Sequence, residues 1–191
     1  MTGVQTCALP ISLLLEAHHA QWSTLVYLGE WTSVQEQTRQ GAALYDPQAS
    51  HSHVAPYRWH DDPGVCCRGS EAFALWFLGY PDQALERSHQ ALTLAQELSH
   101  PYSLAVALYF HAHLYQFRRE GQAAQEQAEA LRVLSLEQGF VSLLAWGTMQ
   151  QGWMLAEQGQ AKEGIAQMRQ SLTAYRAIGS ELGISFAPLG C

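Results

Sequence analysis

The stretch Leu78-Gly79-Tyr80-Pro81-Asp82-Gln83-Ala84 reads as the tight turn inside a helical hairpin. The chain repeats it with drift. Upstream, Leu28-Gly29-Glu30-Trp31 places Val34 five residues after its glycine, as Ala84 follows Gly79. Downstream, Gln158-Gly159-Gln160-Ala161 leads to Gly164 at the same offset. Phe117-Arg118-Arg119-Glu120-Gly121 joins the series if Arg119 takes the glycine place, which puts Ala124 at the offset. The anchors then fall at 29, 79, 119 and 159, so the first step is 50 residues and the next two are 40. A recurrence in this range signals stacked repeats, each hiding its apolar face against the next.

Around these turns the predicted hairpins occupy 13–45, 63–98, 101–138 and 141–179. Asp46-Pro47 stops a helix, because proline lacks the amide hydrogen and disfavours helix in the residue before it. Asp62-Pro63 starts one, as an acidic N-cap followed by proline at the first helical position. The polar, His- and Ser-rich segment 46–62 between them is an inter-repeat loop and accounts for the longer first step. Counted from the anchors, the second helices align Gly41, Ala91, Leu131 and Ser171. No alternation with period two competes. The expected fold class is therefore all-α, stacked antiparallel helical hairpins wound into a right-handed superhelix.

Composition narrows the function. The chain has 191 residues, 48% hydrophobic and only 14% charged, with Gln, Ser, Thr and His supplying the polar faces. A formal charge of −7 argues against a broad basic surface for nucleic acid. No run approaches the roughly 18 apolar residues of a membrane span. The four cysteines show no regular spacing, which points to a reduced, cytoplasmic protein rather than a disulfide scaffold. Residues 1–12 resemble translated sequencing-adapter read-through and are set apart as artefactual or disordered, and 180–191 read as the truncated start of a further helix.

The turns resemble tetratricopeptide-type repeats in a long variant of about 40 residues. Leu28-Gly29-Glu30-Trp31 carries the Leu-Gly-x-aromatic pattern, Leu78-Gly79-Tyr80 has its aromatic one residue early, and the third unit has Arg119 for glycine. A closer resemblance is to the C-terminal repeat region of bacterial signalling proteins that carry an adenylate/guanylate cyclase domain and an ATPase domain upstream. It rests on His60-Asp61-Asp62-Pro63-Gly64-Val65-Cys66-Cys67, Leu78 to Leu85, Gln116 to Glu120 and Trp153 to Gly159. The resemblance implies a sensory or assembly segment of a larger polypeptide, with those upstream domains as partners. Neither enzymatic domain is in this chain.

Two other readings compete. His51, His53, His60, Asp61, Asp62, Cys66 and Cys67 gather the usual zinc-ligand types in one segment. Their spacing matches no ribbon or finger, and adjacent Cys66 and Cys67 on a helix point about 100° apart. His18-His19 and His111-Ala112-His113 are split across helix faces in the same way. No glycine-flanked nucleophile and no phosphate loop is present. No catalytic, cofactor-binding or metal-ligating residue is assigned, and no cofactor is expected. The alternatives are a small metal-binding or Cys/His enzyme centred on 51–67, and a fragment without independent function. The expected role is non-catalytic binding of a protein or peptide, or ligand sensing, on the concave face lined by the first helices. Candidate contacts there are Tyr109, His113, Gln116, Trp146, Met149, Gln150 and Trp153.

Overall fold

A computed structural model describes residues 11–47 and 61–180. Among them are eight helices and no strand: α1 (Ile11–Leu28), α2 (Trp31–Leu44), α3 (Pro63–Phe77), α4 (Pro81–Leu98), α5 (Pro101–Phe117), α6 (Gly121–Gln138), α7 (Val141–Glu157) and α8 (Ala161–Ala177). Each helix packs on the next in sequence, and the first helices of the hairpins also pack on one another, α1 on α3, α3 on α5 and α5 on α7. The fold is thus an array of antiparallel hairpins, with α1, α3, α5 and α7 in one layer.

The hairpin turns share one geometry. Gly29, Gly79 and Gly159 take φ of 73°, 90° and 88°, and Arg119 takes 58° at the equivalent place. The residue after each anchor donates its amide hydrogen five residues back, Glu30 to Leu25, Tyr80 to Leu75, Glu120 to Tyr115 and Gln160 to Leu155. This closure satisfies the orphan carbonyls of the ending helix and reverses the chain within three residues. Arg119 adopts a backbone that costs an L-residue more than glycine.

The second helix of each hairpin buries a narrow stripe. In α4 it is Ala84, Ser88, Ala91 and Ala95, in α6 Ala124, Ala128, Leu131 and Ser135, and in α8 Gly164, Met168, Ser171 and Tyr175. Its small side chains bring the helix axes close. Gly164 and Gly152 sit backbone to backbone, so that a Cβ on either would run into the other helix. The first helices are instead enclosed on most sides. Helix α5 buries Ser103, Ala105, Leu108, Phe110, His111 and His113 on different faces, since α3, α4, α6 and α7 surround it.

Some buried polar groups in this layer pair with one another. Ser88 Oγ lies 2.6 Å from His111 Nδ1, and His113 Nδ1 lies 2.9 Å from the carbonyl of Tyr109 and 2.6 Å from the amide of Gln150 on α7. Burial pushes the pKa of both rings down to about 4, with the charge of His89 adding to the effect at His111. Both are neutral packing groups at neutral pH. No helix among the described residues is long and apolar enough to cross a membrane.

Candidate functional site

The first helices leave a recess of about 240 Å³ on their shared face. Its floor is aromatic, with Phe73 from α3, Tyr102 and Tyr109 from α5, Trp146 from α7 and Tyr175 from α8. Tyr109, Trp146 and Tyr175 form a chain of edge-to-face rings, with centroids 5.6 Å apart at each step. Its other end is polar: His19 and Ser23 from α1, Asp61, and Cys66 and Ser70 from α3. The recess therefore joins an apolar wall to a group of titratable side chains.

The polar end is built on the N-terminus of α3. Asp62 caps that helix, its Oδ1 accepting from the amides of Gly64 (2.9 Å) and Val65 (3.2 Å) and from the hydroxyl of Tyr45 (2.8 Å). The Asp62 amide donates to Ser103 Oγ at 2.8 Å, which ties the cap to α5. Held this way, the preceding residue reaches α1, where Asp61 Oδ2 lies 3.7 Å from His19 Nε2. Cys66 follows one turn into α3, with its Sγ 3.9 Å from Ser70 Oγ. Donor atoms of His19, Asp61 and Cys66 all lie within 4.8 Å of one another.

Charge concentrates on the histidine. Its Nδ1 lies 3.3 Å from Glu16 Oε2, and its ring stacks on Trp22 with centroids 5.1 Å apart. Burial opposes the charged ring, but the Cys66 sulfur together with Glu16 and Asp61 outweighs it and pushes the pKa up to about 11. His19 is then an imidazolium at neutral pH. Cys67 is the contrast. Its sulfur donates to the Thr38 carbonyl at 3.1 Å, away from the recess, and burial pushes its pKa up to about 12. A cysteine beside a paired histidine can act as a nucleophile or as a metal ligand.

The structure redistributes the residues singled out from sequence. Tyr109 and Trp146 line the recess. His113, Gln116, Met149 and Gln150 are buried and do not line it. The physical reason is that the layer closes toward the C-terminal halves of α5 and α7. There His113 sits edge-on to Phe73, Phe117 and Trp146, and Gln150 bridges to it. Trp153 is half-buried and packs against the cluster that α7 and α8 form with Trp146, Met149 and Met168.

Of the His/Cys/Asp segment, His51, His53 and His60 lie outside the described residues, Asp62 is a structural cap and Cys67 faces α2. Asp61 and Cys66 do come together, and the histidine they meet is His19. Sequence spacing gave no hint of this partner, since it sits in another hairpin. Repeat register does not supply it either: His19 lies 10 residues before Gly29 and Cys66 lies 13 before Gly79, so only the stacking of α1 on α3 brings them together.

No protein-family model matches the chain. It is 22% identical over 166 residues to an uncharacterized protein of Rhizobium meliloti (strain 1021), an alignment that covers 87% of this chain and 16% of that protein. The chain thus spans about a sixth of the length of the relative it matches.

Proposed function

We propose that this chain is a non-catalytic binding module, a repeat segment of a larger polypeptide whose first-helix face takes a partner peptide. The observation that carries this reading is the recess between α1, α3, α5 and α7, which joins aromatic walls to a polar rim. A recess of about 240 Å³ is below the size of a full small-molecule pocket and suits one bulky anchor side chain of an extended segment. Tyr109 and Trp146 pack the anchor, while the partly exposed Ser23 and Ser142 supply hydrogen bonds to its backbone. The match to a small share of a long relative is in keeping with a segment that serves other domains, such as the cyclase and ATPase domains that the sequence resemblance implies.

The reading is tested by selecting random dodecapeptides on the immobilised chain. Enriched peptides should share one large apolar or aromatic position and should lose binding to a Ser142→Trp chain, in which an indole fills the recess. A selection without enrichment, or peptides that bind Ser142→Trp as well as the parent chain, would sink it.

A further inference from the structure

We infer that His19, Asp61 and Cys66 form a binding site for a single zinc-type divalent cation, with its fourth position open to the recess. Imidazole, carboxylate and thiolate are the three donor types that zinc takes from proteins, and they arrive from α1, the approach to α3 and the first turn of α3. Around a tetrahedral zinc, donors stand about 3.3–3.8 Å apart, as bond lengths of about 2.0–2.3 Å require. His19 Nε2 and Asp61 Oδ2 are already at 3.7 Å, and no pair in the trio exceeds 4.8 Å. Rotamer adjustments of an ångström or less close the set.

The surroundings fit a metal site beyond the three donors. Glu16 lies on Nδ1 of His19, and Asp61 faces its Nε2. A carboxylate on the far nitrogen is the usual way a ligating histidine is oriented and made more basic. The Asp62 cap, anchored to Tyr45 and Ser103, fixes the backbone from which Asp61 and Cys66 project. A dication that displaces the proton from Nε2 of His19 neutralises the three potentially anionic groups around that ring in its place. The thiolate selects zinc, or its spectroscopic stand-in cobalt, over magnesium and calcium. Three protein ligands with the next position facing a cavity is the arrangement of sites that bind an exogenous group, rather than of closed structural sites.

The test uses the whole chain under reducing conditions, with Cys7 and Cys191 replaced by serine so that they cannot contribute sulfur. After chelator treatment it is titrated with Zn²⁺ against a chromophoric chelator, and separately with Co²⁺. One zinc per chain is expected, together with sulfur-to-cobalt charge-transfer absorption and the intense visible bands of four-coordinate cobalt. Cys66→Ser should abolish the charge-transfer band. His19→Gln and Asp61→Asn should each weaken zinc binding by 100-fold or more, and Glu16→Gln by about 10- to 100-fold. Cys67→Ala, whose sulfur faces the Thr38 carbonyl of α2, should bind as the parent does. Circular dichroism accompanies each variant, and Asp61→Asn, at a partly exposed position that is not the cap, carries the test if His19→Gln does not fold. The inference is overturned by a folded chain that binds no stoichiometric zinc. Charge transfer that survives in Cys66→Ser overturns it as well, as does binding lost on replacing His51, His53 or His60 but kept in His19→Gln.

Discussion

Gly41 of α2 lies flat against the indole of Trp22 on α1, so that a methyl group at 41 would overlap the ring. Trp22 is fully buried, and Gly41 is buried with it. At the same offsets from the turn, the other hairpins carry Ala72 with Ala91, Ala112 with Leu131 and Gly152 with Ser171. The first hairpin thus places all its bulk on one helix. Gly41→Ala should destabilise the chain by about 1–3 kcal/mol through overpacking, although alanine is the better helix former by about 1 kcal/mol. Urea unfolding of Gly41→Ala, Trp22→Leu and the double variant measures this. The double variant should recover part of the loss, and a Gly41→Ala chain more stable than the parent would refute the contact.

Arg119 holds a φ of 58° at the third turn, where the other three turns have glycine. An L-residue in this region costs about 1 kcal/mol relative to glycine, partly offset by the greater freedom of glycine in the unfolded chain. Arg119→Gly should therefore raise stability by about 0.5–1 kcal/mol, and Gly79→Ala should lower it by about 1 kcal/mol or more. Thermal melts of the two variants decide the matter. A lower melting temperature for Arg119→Gly would mean that its side chain contributes more than its backbone costs.

That position also shows what was legible in the sequence. The turns could be read because they depend on short-range chemistry: Gly79 before Pro81, Asp62 before Pro63, and the offset from anchor to Val34, Ala84, Ala124 and Gly164, all buried. The anchor series even located Arg119 by register alone. The recess was less legible, because helical spacing says which stripe of α5 and α7 faces inward but not how far along its length the layer stays open. Hence Tyr109 and Trp146 line the recess, while His113 and Gln150, one turn further on, bridge the two helices. The polar end was the least legible. Asp61 and Cys66 stand close in sequence, yet the ring between them comes from α1, and only the stacking of α1 on α3 brings it there.

The two neutral histidines of α5 set an acid limit on stability. His111 faces Ser88, His89 and Tyr115, and His113 faces Tyr109, Gln150 and the rings of Phe73, Phe117 and Trp146. Their folded pKa values of about 4 lie below the unfolded value of 6.5, so the unfolded chain binds protons first as pH falls. Their contribution is fully present above pH 6.5 and is lost between 6.5 and about 4, at up to about 1.4 kcal/mol per pH unit for each ring. Denaturant unfolding at pH 7 and pH 5 should show a smaller pH-dependent loss in His113→Gln than in the parent, whatever the cost of the substitution at pH 7. Equal losses would show that His113 does not titrate in this window.

Cys66 and Cys67 are neighbours in sequence with opposite chemical fates. Cys67 is 2% exposed, donates to the Thr38 carbonyl and has a thiol pushed up to about 12 by burial, so almost none of it is thiolate at neutral pH. Cys66 borders the recess beside the His19 ring, whereas Cys67 is turned away from it toward α2. In chelator-treated, folded chain, limited iodoacetamide at pH 7 followed by peptide mass spectrometry should therefore find Cys66 modified well before Cys67. Equal modification of both cysteines would indicate that α3 opens as a unit and exposes them together. Faster modification of Cys67 would contradict the assignment of Cys66 as the sulfur that faces the groove.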